Sequence, residues 1–166
     1  MRTYLQHAVV FATIGLIGPV VHASEVEQIR APVAESVKEI KVFASRTCGC
    51  CKDWVAHLEK HGFSVETEYL TDMESKKNEL RIPGNLRSCH TGVINGLVVE
   101  GHVPAADIDK AVHFTTVNPN SNIAGIAVPG MPHGSPGMET GRVDPYATIG
   151  FTYDGEVGVI SQYGAR

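Results

Sequence analysis

Hydrophobic and polar positions alternate in short regular blocks from residue 41 onward, and the blocks spell out elements. Residues 41–44, Lys-Val-Phe-Ala, form a brief apolar run of the kind a buried strand makes. Over residues 51–61, Cys51, Trp54, Val55 and Leu58 recur at three- and four-residue spacing. That is one buried face of a helix, and Gly62 is its stop signal. Residues 64–70 predict a strand, with Phe63, Val65, Thr67 and Tyr69 sharing a face. Residues 72–80 predict a polar helix with Thr71 or Asp72 as N-cap. Residues 91–94 and 97–100 predict two strands joined by Asn95-Gly96, the strongest two-residue hairpin signal. Residues 104–114 predict a helix with proline in its first turn, where a missing N–H costs nothing. The tail from Asn118 differs. Residues 129–138 are dense in Gly and Pro and predict a loop, and residues 147–153 and 156–163 predict a second hairpin across Asp154-Gly155.

From residue 41 to 114 the predicted order is β-α-β-α-β-β-α. A β-α-β start implies a parallel strand pair with a right-handed crossover, and the hairpin then adds antiparallel strands. The expected fold is therefore α/β and thioredoxin-like, with a C-terminal Gly/Pro loop and β-hairpin. A Cys-x-x-Cys frame at the end of the first strand opens the first helix.

The N-terminus changes the picture of where this fold works. Arg2 precedes an uncharged apolar stretch at residues 8–21, and Val21-His22-Ala23 reads as a cleavage site before Ser24. The stretch is shorter than the roughly 20 residues a membrane span needs, so it predicts a secretory signal peptide. The expected organisation is a signal peptide at 1–23, a polar lead-in at 24–39 and the thioredoxin-like domain with its C-terminal β extension at 40–166. The expected location is periplasmic, with no membrane attachment after cleavage. A net charge of −4 with no basic run excludes nucleic acid as the natural partner.

The chemistry lies on sulfur. Three of four cysteines fall in Cys48-Gly49-Cys50-Cys51, and the fourth, Cys89, is followed by His90. Four cysteines allow three full pairings, and the sequence does not choose among them. A bridge inside the cluster closes almost no loop, so it adds little by chain entropy. The clustering therefore points to function. At a helix N-terminus the thiols face a partial positive charge, which favours thiolate. Thiolate serves both metal binding and disulfide exchange. A third adjacent sulfur is surplus for exchange and useful for metal, and soft sulfur ligands select Cu(I) or Zn. Where thioredoxins place a cis-proline, this chain offers Ser88-Cys89-His90-Thr91. If the fold holds, Cys89 and His90 face Cys48, Cys50 and Cys51. His102 is a further candidate ligand, and Met131 and Met138 offer thioethers in the Gly/Pro loop. His57 and His61 stand too far along their helix to share the site; near a helix C-terminus they interact with its dipole. Thiol-disulfide exchange and a structural Zn site remain open beside copper.

Cys48-Gly49-Cys50-Cys51, Ser88-Cys89-His90-Thr91, Glu100-Gly101-His102-Val103-Pro104 and the motif from Val128 to Met138 resemble, in this order, the small periplasmic metal-binding proteins of the CopG copper-resistance type, also known as domain of unknown function 411. The resemblance spans about residues 40–140. It implies copper as the metal, held as Cu(I) and in several copies, with Cu(I)/Cu(II) redox activity. It implies Cys48, Cys50, Cys51, Cys89 and His90 as ligands, with His102, Met131 and Met138 in support. His133 occupies a position that varies within that pattern. The implied partners are copper ions and periplasmic copper donor or acceptor proteins.

Overall fold

The computed structural model describes residues 38–164. The expected signal peptide and almost all of the lead-in lie outside them. The elements are β1 (Lys38–Ala44), α1 (Gly49–Lys60), β2 (Phe63–Tyr69), α2 (Met73–Glu79), a 3-10 turn (Gly84–Leu86), β3 (Thr91–Ile94), β4 (Leu97–Glu100), α3 (Ala105–Val117), β5 (Ile123–Ala127), β6 (Tyr146–Thr152) and β7 (Val157–Tyr163). The expected α/β fold is present. β1 and β2 run parallel across α1, and β1 pairs antiparallel with β3. β3 and β4 form the Asn95-Gly96 hairpin in the expected register. Asn95 and Gly96 both have positive φ, as such a turn requires.

Two features depart from the expected pattern. β5 was not predicted; it pairs parallel with β4 and antiparallel with β6. The C-terminal hairpin consequently joins the same sheet, whose order is β2-β1-β3-β4-β5-β6-β7. Pro104 is the N-cap of α3, one position before the first helical turn, and the helix runs on to Val117.

One apolar core lies between the sheet and the α1 and α3 helices, built from Ile40, Val42, Trp54, Leu58, Val99 and Ile108 among others. Burying each such side chain contributes about 1.5–3 kcal/mol. A second cluster around Phe151, Ile82 and Leu86 fills out the sheet's other contacts. Asp107 of α3 is fully buried, yet satisfied: Thr148 Oγ1, Ser161 Oγ and Tyr163 OH each donate to its carboxylate at 2.7 Å. This carboxylate fastens α3 to β6 and β7. No helix among the described residues is long and apolar enough to cross a membrane.

Candidate metal centre

β1 ends at Ala44, and a tight turn closed by Cys48 N–H donating to Ser45 O (3.1 Å) delivers the chain into α1. Cys48 is the N-cap of that helix and makes no side-chain capping bond. Its thiol is therefore not spent on the helix end. Cys50 and Cys51 occupy the first turn, under the unsatisfied N–H groups and the positive end of the dipole.

Cys48 and Cys51 are joined in a disulfide, with their Cα atoms 5.4 Å apart, while Cys50 and Cys89 are free thiols. The expected lowering of thiol pKa at the helix end thus has no bearing on Cys48 and Cys51 in this oxidised state. Cys50 Sγ lies 3.6 Å from Cys48 Sγ and 3.8 Å from Cys89 Sγ, and Cys51 Sγ lies 3.7 Å from Cys89 Sγ. All four sulfurs fall within 4.8 Å of one another.

Cys89 also touches two imidazoles. His90 Nδ1 and His102 Nε2 each lie 3.2 Å from its Sγ. His102 Nδ1 lies 2.8 Å from the carbonyl of Pro136. A carbonyl only accepts, so Nδ1 carries the proton and Nε2 turns its lone pair toward Cys89. His90 is fully buried, stacked on Trp54 at 4.3 Å between ring centroids and edge-on to His102 at 4.8 Å. Its Nε2 has no hydrogen-bond partner among the described residues. Burial, seconded by His102 and Lys77, holds His90 well below the usual imidazole range. Burial likewise lowers His102. Both are thus neutral, the form that ligates. Cys89 is pushed up to about 12 by burial and by neighbouring Cys50. Without metal it holds its proton, which a metal must displace.

The Gly/Pro loop folds back over this cluster. Its main chain makes the contacts: Pro136 O receives His102, and Gly130 O receives the Ser88 hydroxyl. Gly137, at φ +81°, lies against the helix; a Cβ there would stand 2.7 Å from Trp54 N and 2.9 Å from Cys50 O. Only glycine permits that approach. Met131 is 53% exposed, and Met138 is half-buried.

Several contributors carry no sequence signal. Trp54 reads as a core residue, yet its Nε1 donates to Val103 O at 2.9 Å, beside His102, and its ring supports His90. His57 Nε2 accepts from Ala105 N–H at 3.2 Å, so it caps α3, whose own N-cap Pro104 offers no side-chain acceptor. His61 Nδ1 donates to His57 O at 2.7 Å. Both histidines stay out of the cluster, as expected. His133 turns to Thr140 Oγ1 at 2.6 Å.

A thioredoxin-like domain with four sulfurs and two neutral imidazoles gathered at one helix end belongs to the class of small thiol-based metal or redox proteins. Comparison narrows the class to a family. A solved structure of copper resistance protein CopG, in its Form 2, is 48% identical; the match covers 76% of this chain and 98% of that one, with a TM-score of 0.70. Form 1 is 47% identical, covering 78% and 99%, also with a TM-score of 0.70. The family described as "Protein of unknown function, DUF411" matches residues 86–138. The chain belongs to the CopG copper-resistance family. No curated protein matches it.

Proposed function

We propose that the chain is an exported copper-resistance protein that, in its reduced state, takes up Cu(I) on Cys48, Cys50, Cys51 and Cys89 together with His90 and His102. The observation that carries this reading is the position of Cys89, within 3.8 Å of Cys50 and Cys51 and 3.2 Å from both imidazoles. Soft sulfur with neutral imidazole is a donor set that suits Cu(I), and four sulfurs bridged through one residue suit more than one ion. His90 turns Nδ1 toward Cys89, so that nitrogen is the one placed to join the sulfurs. Met131 and Met138, on the loop that covers the cluster, supply thioethers as a soft relay. Membership of a family with structures named for copper resistance supports the same reading. Bound copper would supply one-electron chemistry between Cu(I) and Cu(II). The chain's own part is to hold soft donors at one helix end, keep the imidazoles neutral and cover the cluster with the loop. In this reading residues 1–23 act as a secretory signal peptide and the mature chain works in the periplasm.

A second reading, thiol-disulfide exchange, draws on the Cys48–Cys51 disulfide at a helix N-terminus. Anaerobic purification of the reduced protein, with metal content and free thiols measured together, separates the two. Copper uptake that protects the four thiols is the expected result. A disulfide that re-forms and passes to a protein substrate, with no metal taken up, supports exchange. One tetrahedral Zn with no turnover makes the site structural.

A further inference from the structure

The one buried residue of α2 is Lys77. A short polar helix that buries a lysine and nothing else is not built for packing. Lys77 and Glu100 form an ion pair with side chains 2% and 0% exposed. Such a pair is weak evidence for stability, because desolvating two charges offsets most of their attraction, and apolar replacements often serve the fold as well.

The carboxylate's other partners give it a role. Glu100 Oε1 accepts the Ser88 N–H at 2.6 Å, and Oε2 accepts the Thr91 hydroxyl at 2.6 Å. Lys77 Nζ donates to the same Thr91 oxygen at 3.0 Å. Ser88 and Thr91 are the residues on either side of Cys89-His90. The main chain closes the far end: Gly101 N–H donates to His90 O at 3.0 Å, one residue beyond Glu100.

We infer that Glu100 is a positioning residue: one carboxylate oxygen grips the backbone before Cys89 and the other the hydroxyl after His90, so thiol and imidazole are held in ligating posture before any metal arrives. The inference rests on the copper reading for its purpose and stands on geometry for its mechanism. Outer partners of metal ligands act this way in general, and their loss costs about 10–100-fold in affinity.

Two double variants test it. Lys77→Met with Glu100→Leu removes the charges and both acceptor oxygens. Lys77→Met with Glu100→Gln removes the charges and keeps one acceptor for Ser88. The metal-free, phosphine-reduced proteins are treated with iodoacetamide, and Cys89 alkylation is timed against Cys50 by mass spectrometry. Cu(I) affinity is measured by competition with a Cu(I)-specific chelator. In the leucine variant Cys89 should alkylate several-fold faster, and the Cu(I) dissociation constant should rise about tenfold or more. The glutamine variant should stay near the parent on both. A leucine variant equal to the parent, or a glutamine variant as impaired as the leucine one, overturns the inference. If the leucine variant fails to fold, hydrogen exchange in the parent decides: the Ser88 amide must exchange slowly despite lying in a loop, and exchange at an open-loop rate overturns the role. If the parent takes up no Cu(I), the copper reading fails while alkylation and exchange still judge Glu100.

Discussion

Cys50 is the sulfur that a two-thiol exchange cycle does not use. It sits between the bonded Cys48 and Cys51 on one helical turn, with its Sγ 3.8 Å from Cys89 Sγ. Cys50→Ser leaves the Cys48/Cys51 frame intact and keeps the side chain's size. If the protein only exchanged disulfides, this variant would keep its reductase activity. The expected outcome is that the Cys48–Cys51 disulfide still forms while copper stoichiometry or affinity falls. Chelator competition on the reduced variant checks it, and unchanged copper binding removes Cys50 from the ligand set. The sulfur cluster and Cys89-His90 were legible in the sequence because ligand chemistry is written in residue type and the strand order put them together. Trp54 and Glu100 were not. One looks like any core aromatic and the other like any strand-end carboxylate, and only the packed structure reveals which atoms they reach.

At the level of elements, α1 joins the two halves of the site. It carries Cys50 and Cys51 at its start, Trp54 a turn later and His57 one turn beyond. Trp54 holds Val103 and His57 holds Ala105, so one helix face secures the segment that follows His102. His57 as a cap makes α3 sensitive to acid. Burial, then His61, lower its pKa from 6.5 in the folded chain, with Lys60 adding to this and Glu139 opposing it. A group depressed on folding contributes fully above its unfolded pKa. That contribution is lost as pH falls through the unfolded value and on toward the folded one. Protonated Nε2 also becomes a donor facing a donor, and it adds positive charge at a helix N-terminus. His57→Ala should cost about 1 kcal/mol near neutral pH, as caps do. Thermal melts on either side of 6.5 should show the parent losing more stability on acidification than the variant. Parallel losses would mean that the cap contributes nothing. The helices and the first hairpin followed their sequence signals, and Asp72 caps α2 as expected, accepting Ser75 N–H at 2.9 Å. β5 did not, because Ile-Ala-Gly-Ile-Ala is short and poor in strand formers, and its pairing with β4 is parallel and non-local.

Across the whole molecule, the cysteines come from the β1–α1 junction, Cys89-His90 from the segment before β3, His102 from the β4–α3 connection, and the covering loop from between β5 and β6. The sheet's extension through β5, β6 and β7 anchors both ends of that loop. The loop was legible as a loop from its glycines and prolines, and its methionines predicted that it folds back beside the cysteines, where it lies; the main-chain contacts that seat it were not legible, since they depend on the unpredicted β5. Met131→Leu combined with Met138→Leu keeps volume and apolarity and deletes both thioethers. Melting temperature should barely move, as volume-conserving swaps cost little. Cu(I) loading from a chelated donor should slow, followed by stopped-flow absorbance. Loading at the parent's rate would confine the site to the cysteines and histidines beneath.

The loop is fastened by Gly130 O, Pro136 O and the bare backbone of Gly137. A peptide carbonyl is the same group whatever side chain stands beside it. The seat of the loop is therefore written in two main-chain carbonyls and one glycine, and the methionine side chains at 131 and 138 take no part in those three contacts. On the proposed relay, exchanging those thioethers for carboxylates or imidazoles would retune which ion is welcomed while the scaffold below stays as it is. Specificity at the mouth and architecture at the base can thus be redesigned, or can drift, separately.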